Sequence, residues 1–253
     1  MRPMLVLLAV VASTAAVAAA CGGSGSQGPE GPGGTATTRA QAALPQGSEP
    51  VRLEPADFVS RIDHPYWPMV PGSKWVYREG DQRVEVTVTS KAKKIAGIDA
   101  TVVHDVVSEG GDLVEDTWDW YAQDAAGNIW YLGEDTKEYE KGKIKTTEGS
   151  WQAGVDGAQA GIILPADPKV GMAYRQEYYK GEAEDAAEIL SVDERAEVPY
   201  GSFDHVLQTK DYTPLEPDLV EHKFYAKGIG PVLTITVSGG SDREELISFE
   251  EAS

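Results

Sequence analysis

A single cysteine in 253 residues excludes an intramolecular disulfide, the C-x-x-C redox motif and every multi-cysteine zinc site. Basic residues are also scarce: 22 Lys and Arg stand against 41 Asp and Glu, a formal charge of −19. So acidic a surface repels phosphate backbones and anionic head groups, which excludes nucleic-acid binding and polybasic docking to a membrane. The simplest use of that charge is solubility. Catalytic signatures are missing too: there is no G-x-S-x-G elbow, no H-E-x-x-H and no phosphate loop. Ser202, Asp204 and His205 lie close in sequence, but on a strand neighbours point to opposite sides and cannot form a local triad. The run Asp124–Asn128 lacks the ligand spacing of a calcium loop and reads as a hairpin turn. No enzyme is expected, although a hydrolase assembled from distant residues is compatible with this sequence.

The one long apolar run is at the start. Arg2 precedes an apolar stretch from Met4 to Val17, and three alanines lead to Cys21. This is the layout of a secretory signal with a small-residue cleavage site, and the run is short for a membrane span. The stretch resembles a bacterial lipoprotein signal peptide, whose lipobox ends in a cysteine. Ala18 stands where many lipoboxes have leucine. The resemblance implies cleavage before Cys21, diacylation of its thiol and an extracytoplasmic, lipid-anchored chain. An unpaired thiol is a liability in an oxidising compartment, which argues in the same direction. Cleavage removes one basic residue and no acid, leaving 21 against 41, or −20. The membrane partner would then be reached through the lipid on Cys21 alone.

The expected organisation is a signal over residues 1–20, a linker over 21–50, a lead-in over 51–65 and one β domain over 66–253. The linker is Gly-, Ser- and Pro-rich without apolar periodicity, and reads as a disordered tether. About 30 such residues reach roughly 30 Å. Leu53–Ile62 reads as a short helix. Beyond it the period is two. Val84, Val86 and Val88 alternate with polar residues; Ile98, Ala100, Val102, His104 and Val106 share a face; so do Trp118 and Trp120. Glycine turns separate these runs, which predicts an all-β fold, a curved antiparallel meander forming a half-barrel or barrel. The insert Gly149–Gly171 reads as a crossing loop. A repeat offset by 104 residues, marked by Gly97 and Tyr121 against Gly201 and Tyr225, predicts two duplicated four-strand halves. The alignment needs a one-residue bulge in one half.

The runs "VPYGSFDHVLQT", "HKFYAKGIGPV" and "WYAQDAAGNIWYLGEDTKEY" resemble a group of uncharacterised secreted bacterial proteins, over roughly residues 66 to 237. That resemblance implies no activity. By fold analogy the curved sheet is similar to lipoprotein carriers, which wrap a half-barrel around lipid.

Two non-catalytic functions fit: a binding module for an apolar or amphipathic ligand on a concave face, or an interaction lipoprotein without a ligand. For the first, Trp118 and Trp120, with His222 and Phe224 at the repeat-related positions, are the expected ligand-binding residues; as aromatics they also suit a core. The third reading concerns the four histidines, each beside an acid. His104, His205 and His222 sit at apolar-side positions. They are either separate hydrogen-bonded core residues or ligands of one divalent metal, for which zinc or copper would suit neutral imidazoles. The first alternative needs no cofactor.

If Cys21 is the anchor, Cys21→Ser moves the chain out of the membrane fraction, because no second apolar segment holds it. Full detergent-sensitive membrane association of that variant would overturn the anchoring.

Overall fold

The computed structural model describes residues 44–252. The expected signal, Cys21 and most of the expected linker therefore lie outside the described residues. A 3-10 turn at Pro55–Asp57 and three short strands come first: β1 (Phe58–Val59), β2 (Asp63–His64) and β3 (Trp67–Pro68). A meander follows, made of β4 (Lys74–Glu79), β5 (Gln82–Ile95), β6 (Ile98–Glu109), β7 (Asp112–Asp124) and β8 (Ile129–Glu140). The strands β9 (Lys143–Thr146), β10 (Trp151–Gln152) and β11 (Gln159–Leu164) each fold back onto β8. Then come β12 (Ala173–Arg175) and β13 (Glu177–Tyr178). A second meander closes the chain: β14 (Ala186–Val198), β15 (Gly201–Tyr212), β16 (Val220–Ala226), β17 (Gly230–Ser238) and β18 (Arg243–Glu250). The described residues contain no α-helix.

The fold is all-β and antiparallel. Valine-rich runs supply the strands, and residues able to take positive φ supply the turns. At Ala96-Gly97 and Gly110-Gly111 both central residues have positive φ, as a type I′ hairpin requires. The two meanders join where β18 pairs with β4, giving one 16-stranded sheet. Its ends are β12, paired with β14, and β13, paired with β11. Only Gln176 separates β12 from β13. A single stretch, 173–178, thus serves both edges and brings the sheet to a nearly closed barrel. Closure removes the exposed edges that an open sheet would carry.

The repeat is visible in this arrangement. The β5–β6 hairpin begins at Gln82 and the β14–β15 hairpin at Ala186, 104 residues later, whereas β6 and β15 begin at Ile98 and Gly201, 103 apart. The β14–β15 ladder carries the irregularities: Asp204 and His205 together stand opposite Arg195 alone.

Three expectations are corrected. Leu53–Ile62 forms one 3-10 turn, not a helix, because Phe58 and Val59 pair with Asp124 and Gln123. The insert 149–171 is more than a loop, since Gln159–Leu164 is a buried strand. Residues 44–50, read as the end of the tether, lie against the closing stretch: Arg175 donates its backbone N–H to Pro45 O, and its Nη1 to Gly47 O and Glu49 O at 2.7 Å each.

Gly161 shows why glycine misled the sequence reading of this insert. A Cβ there would lie 2.3 Å from the Gln176 carbonyl and 2.5 Å from Arg175 O. The residue that looks like a strand breaker is what lets β11 approach the closing stretch. Gly161→Ala should therefore lower stability by roughly 1–3 kcal/mol or more through overpacking at the seam. Thermal or urea unfolding measures this; an unchanged midpoint would show that the seam does not hold the barrel.

Candidate functional site

Strand alternation sends every second residue inward. The inner face lines a partly open cavity of about 170 Å³. β6 contributes Val103 and Asp105, β7 contributes Thr117, Asp119 and Tyr121, and β8 contributes Tyr131 and Glu134. From the second meander come Lys223 and Tyr225 of β16 and Glu244 of β18. Gln176 of the closing stretch completes the wall. Tyr121 and Tyr225 are 104 residues apart, as are Asp119 and Lys223, so repeat-related positions face the same space. Trp67, on the separate β2–β3 hairpin, borders the cavity with its ring 5.5 Å from Tyr121 and 6.2 Å from Tyr225. It rests on Gly230, where a Cβ would come within 2.6 Å of the indole.

The wall is acidic and only partly paired. Tyr131 OH donates to Asp119 Oδ1 at 2.6 Å, and Lys223 Nζ lies 3.2 Å from Asp211 Oδ2. Gln176 Nε2 donates to the same Asp211 oxygen at 3.2 Å. Three acceptors in the wall have no hydrogen-bond partner: Asp105 Oδ1, Glu134 Oε1 and Gln176 Oε1. Glu134 and Gln176 are only 5% and 2% exposed, which makes their unsatisfied oxygens costly.

Burial dominates the titration of these groups. It pushes Asp119 up to about 6, and Glu115 and Glu244 to about 7. Asp105 and Glu134 are held well above the carboxylate range by burial, reinforced by Asp119 beside the first and Glu177 beside the second. Burial disfavours the Lys223 ammonium, but Asp211, Tyr225 and Glu221 outweigh it and raise its pKa.

The expected ligand-binding residues occupy the other face. Trp118 stacks on His104 at 3.9 Å, donates its Nε1 to Asp116 and sits under Lys91 Nζ at 4.2 Å. Lys93 Nζ lies 3.1 Å from the Trp120 ring centroid. His222 Nδ1 contacts Gln208 Nε2 at 3.0 Å, and Phe224 is buried in the apolar cluster. None of the four borders the cavity. The alternation was read correctly, but the inner set is 117, 119, 121, 223 and 225, one residue out of phase. Charged Asp119 and Lys223 look like solvent positions in sequence, and both are enclosed.

The three histidines considered as metal ligands are engaged separately. His104 Nε2 lies 3.3 Å from Asp116 Oδ2. His205 is exposed, paired with Asp193, and has a φ of 55°, because the bulge opposite Arg195 turns it out of the apolar phase. His222 has Gln208. The deeply buried histidine is His64, which accepts from Tyr66 N at Nδ1 and contacts Pro165 O through Nε2 at 3.1 Å. Among the described residues, no three His, Cys, Asp or Glu side chains gather as metal ligands.

No family model and no curated protein matches this chain. Among solved structures, a "putative lipoprotein" from Parabacteroides distasonis is similar at 12% identity with a TM-score of 0.43, over 73% of this chain and 98% of that one. Likeness at that level carries no functional argument.

The raised carboxylates fix how stability depends on pH. Asp119, Glu115, Glu244 and Asp185, the last also at about 7, bind protons in the folded state at pH values where the unfolded chain has released them. Stability is then fully present below the unfolded values of 3.8 and 4.5 and is lost as pH rises through about 6 to 7. The melting temperature should fall by more than about 4 °C between pH 5 and pH 8. A midpoint that rises over that range would contradict the enclosed acidic interior.

Proposed function

We propose that this chain is a lipid-anchored extracytoplasmic lipoprotein whose barrel is a non-catalytic binding module for a small ligand held in the interior cavity. The signal-like run ending at Cys21 supports the anchoring. The observation that carries the binding reading is the coincidence of an interior cavity with three acceptors of its wall residues that nothing in the fold satisfies. A protein that only displayed loops would gain stability by making that interior apolar.

The cavity also bears on ligand size. Its volume of about 170 Å³ compares with the roughly 150 Å³ of an apolar cavity that holds benzene. A long acyl chain has no room there, and the carboxylates make the wall unsuitable for one. The lipid-carrier analogy is accordingly not the reading favoured for this nearly closed barrel.

Native mass spectrometry of protein purified from its own host without denaturant tests the binding reading. The account expects a non-covalent adduct of low mass that is lost on unfolding. A bare chain mass under every gentle condition, with no small molecule in the extract, would refute it.

A further inference from the structure

The nature of the ligand follows from the wall, given the reading of the barrel as a binding module. We propose that the cavity takes a small primary ammonium ion, with its N–H donors on Asp105, Glu134 and Gln176 and its hydrocarbon part against the surrounding tyrosines.

Hydrogen-bond inventory comes first. The unsatisfied atoms of the wall are Asp105 Oδ1, Glu134 Oε1 and Gln176 Oε1, all acceptors. Gln176 Oε1 is an acceptor in any state, and the two carboxyl oxygens become acceptors once a bound cation ionises their groups; an alkylammonium group offers three N–H donors from one nitrogen. Charge points the same way. Asp105, Asp119, Glu134 and Glu244 border the cavity, and the one base, Lys223, is engaged with Asp211. An anionic ligand would be repelled from such a wall. A cation would relieve repulsion between carboxylates that burial otherwise makes expensive to ionise.

The rest of the wall selects an organic cation over a bare metal. Among the described residues no three His, Cys, Asp or Glu side chains form a group that could hold a metal ion. Tyr77, Tyr121, Tyr131, Tyr225 and Trp67 line the cavity instead. Rings attract ammonium ions and pack against methylene groups. The volume sets the size at about six non-hydrogen atoms, by comparison with benzene.

The probes are n-butylammonium and its neutral isostere 1-butanol, titrated into the purified full-length chain at pH 7.5 and followed by calorimetry and by tyrosine-side-chain NMR. The expected result is that n-butylammonium binds at least tenfold more tightly than 1-butanol and perturbs the Tyr121 and Tyr225 resonances. Glu134→Gln, which keeps the shape and removes the charge, should weaken n-butylammonium at least tenfold, and Asp105→Asn should do the same. Asp204→Asn, a surface acid of equal charge, should leave binding unchanged. Glu134→Gln should also melt at or above the wild-type temperature at pH 8, which shows independently that it folds. Equal affinity for both probes, or an ammonium affinity that neither interior substitution changes, would overturn the proposal. Recovery of a neutral or anionic molecule from the native protein, with no binding of n-butylammonium, would overturn it while leaving the binding module intact. No bound molecule and no binding of either probe would overturn both.

Discussion

Everything in this structure depends on six residues that serve two sheet edges at once. Ala173–Arg175 pair with β14, Glu177 and Tyr178 pair with β11, and the chain turns from one edge to the other at Gln176. Arg175 secures this junction. Its guanidinium bonds to Ala160 O on β11 and to Gly47 O and Glu49 O of the N-terminal segment. Without that seam the two meanders would meet only where β18 pairs with β4, and the inner face would be an open acidic groove. With it, the same residues become the wall of an interior cavity.

Enclosure changes the chemistry of the acids. On an open sheet Asp105, Asp119 and Glu134 would be ordinary solvated carboxylates. Inside the barrel burial raises all three, and the mutual repulsion of neighbouring acids adds to it at Asp105 and Glu134. A fold selected for stability alone would replace them with apolar side chains of similar volume. Their presence, beside an unsatisfied Gln176 oxygen, costs stability, and the binding proposed for this interior would account for that cost.

The sequence discloses this architecture unevenly. Strand alternation is local, and "RVEVTVT" states it plainly, as do the Gly110-Gly111 and Ala96-Gly97 turns. The repeat offset of 104 is legible because Tyr121 and Tyr225 recur in register. Which face turns inward is not local. It is set by the seam, and the seam depends on Gly161 and Gln176, neither of which carries a recognisable motif. Trp118 and Trp120 accordingly read as the inner face when they are the outer one. The signal that could have corrected this was present: Tyr121 and Tyr225 share a parity with Asp119 and Lys223, and a tyrosine-flanked charge in both repeats fits a polar interior better than a solvent face. That one half carries a bulge is legible in the repeat alignment; its place at Asp204 and His205 is not, since an added residue has no position until its partner strand is known.

The most direct test is the titration of the Glu134 carboxylate, read by carbon-13 NMR of the side chain. The account predicts a midpoint well above the ordinary glutamate value of 4.5, moving downward when n-butylammonium is added. A midpoint near 4.5 that ignores the amine would mean that the interior is open to water and is not the binding cavity described.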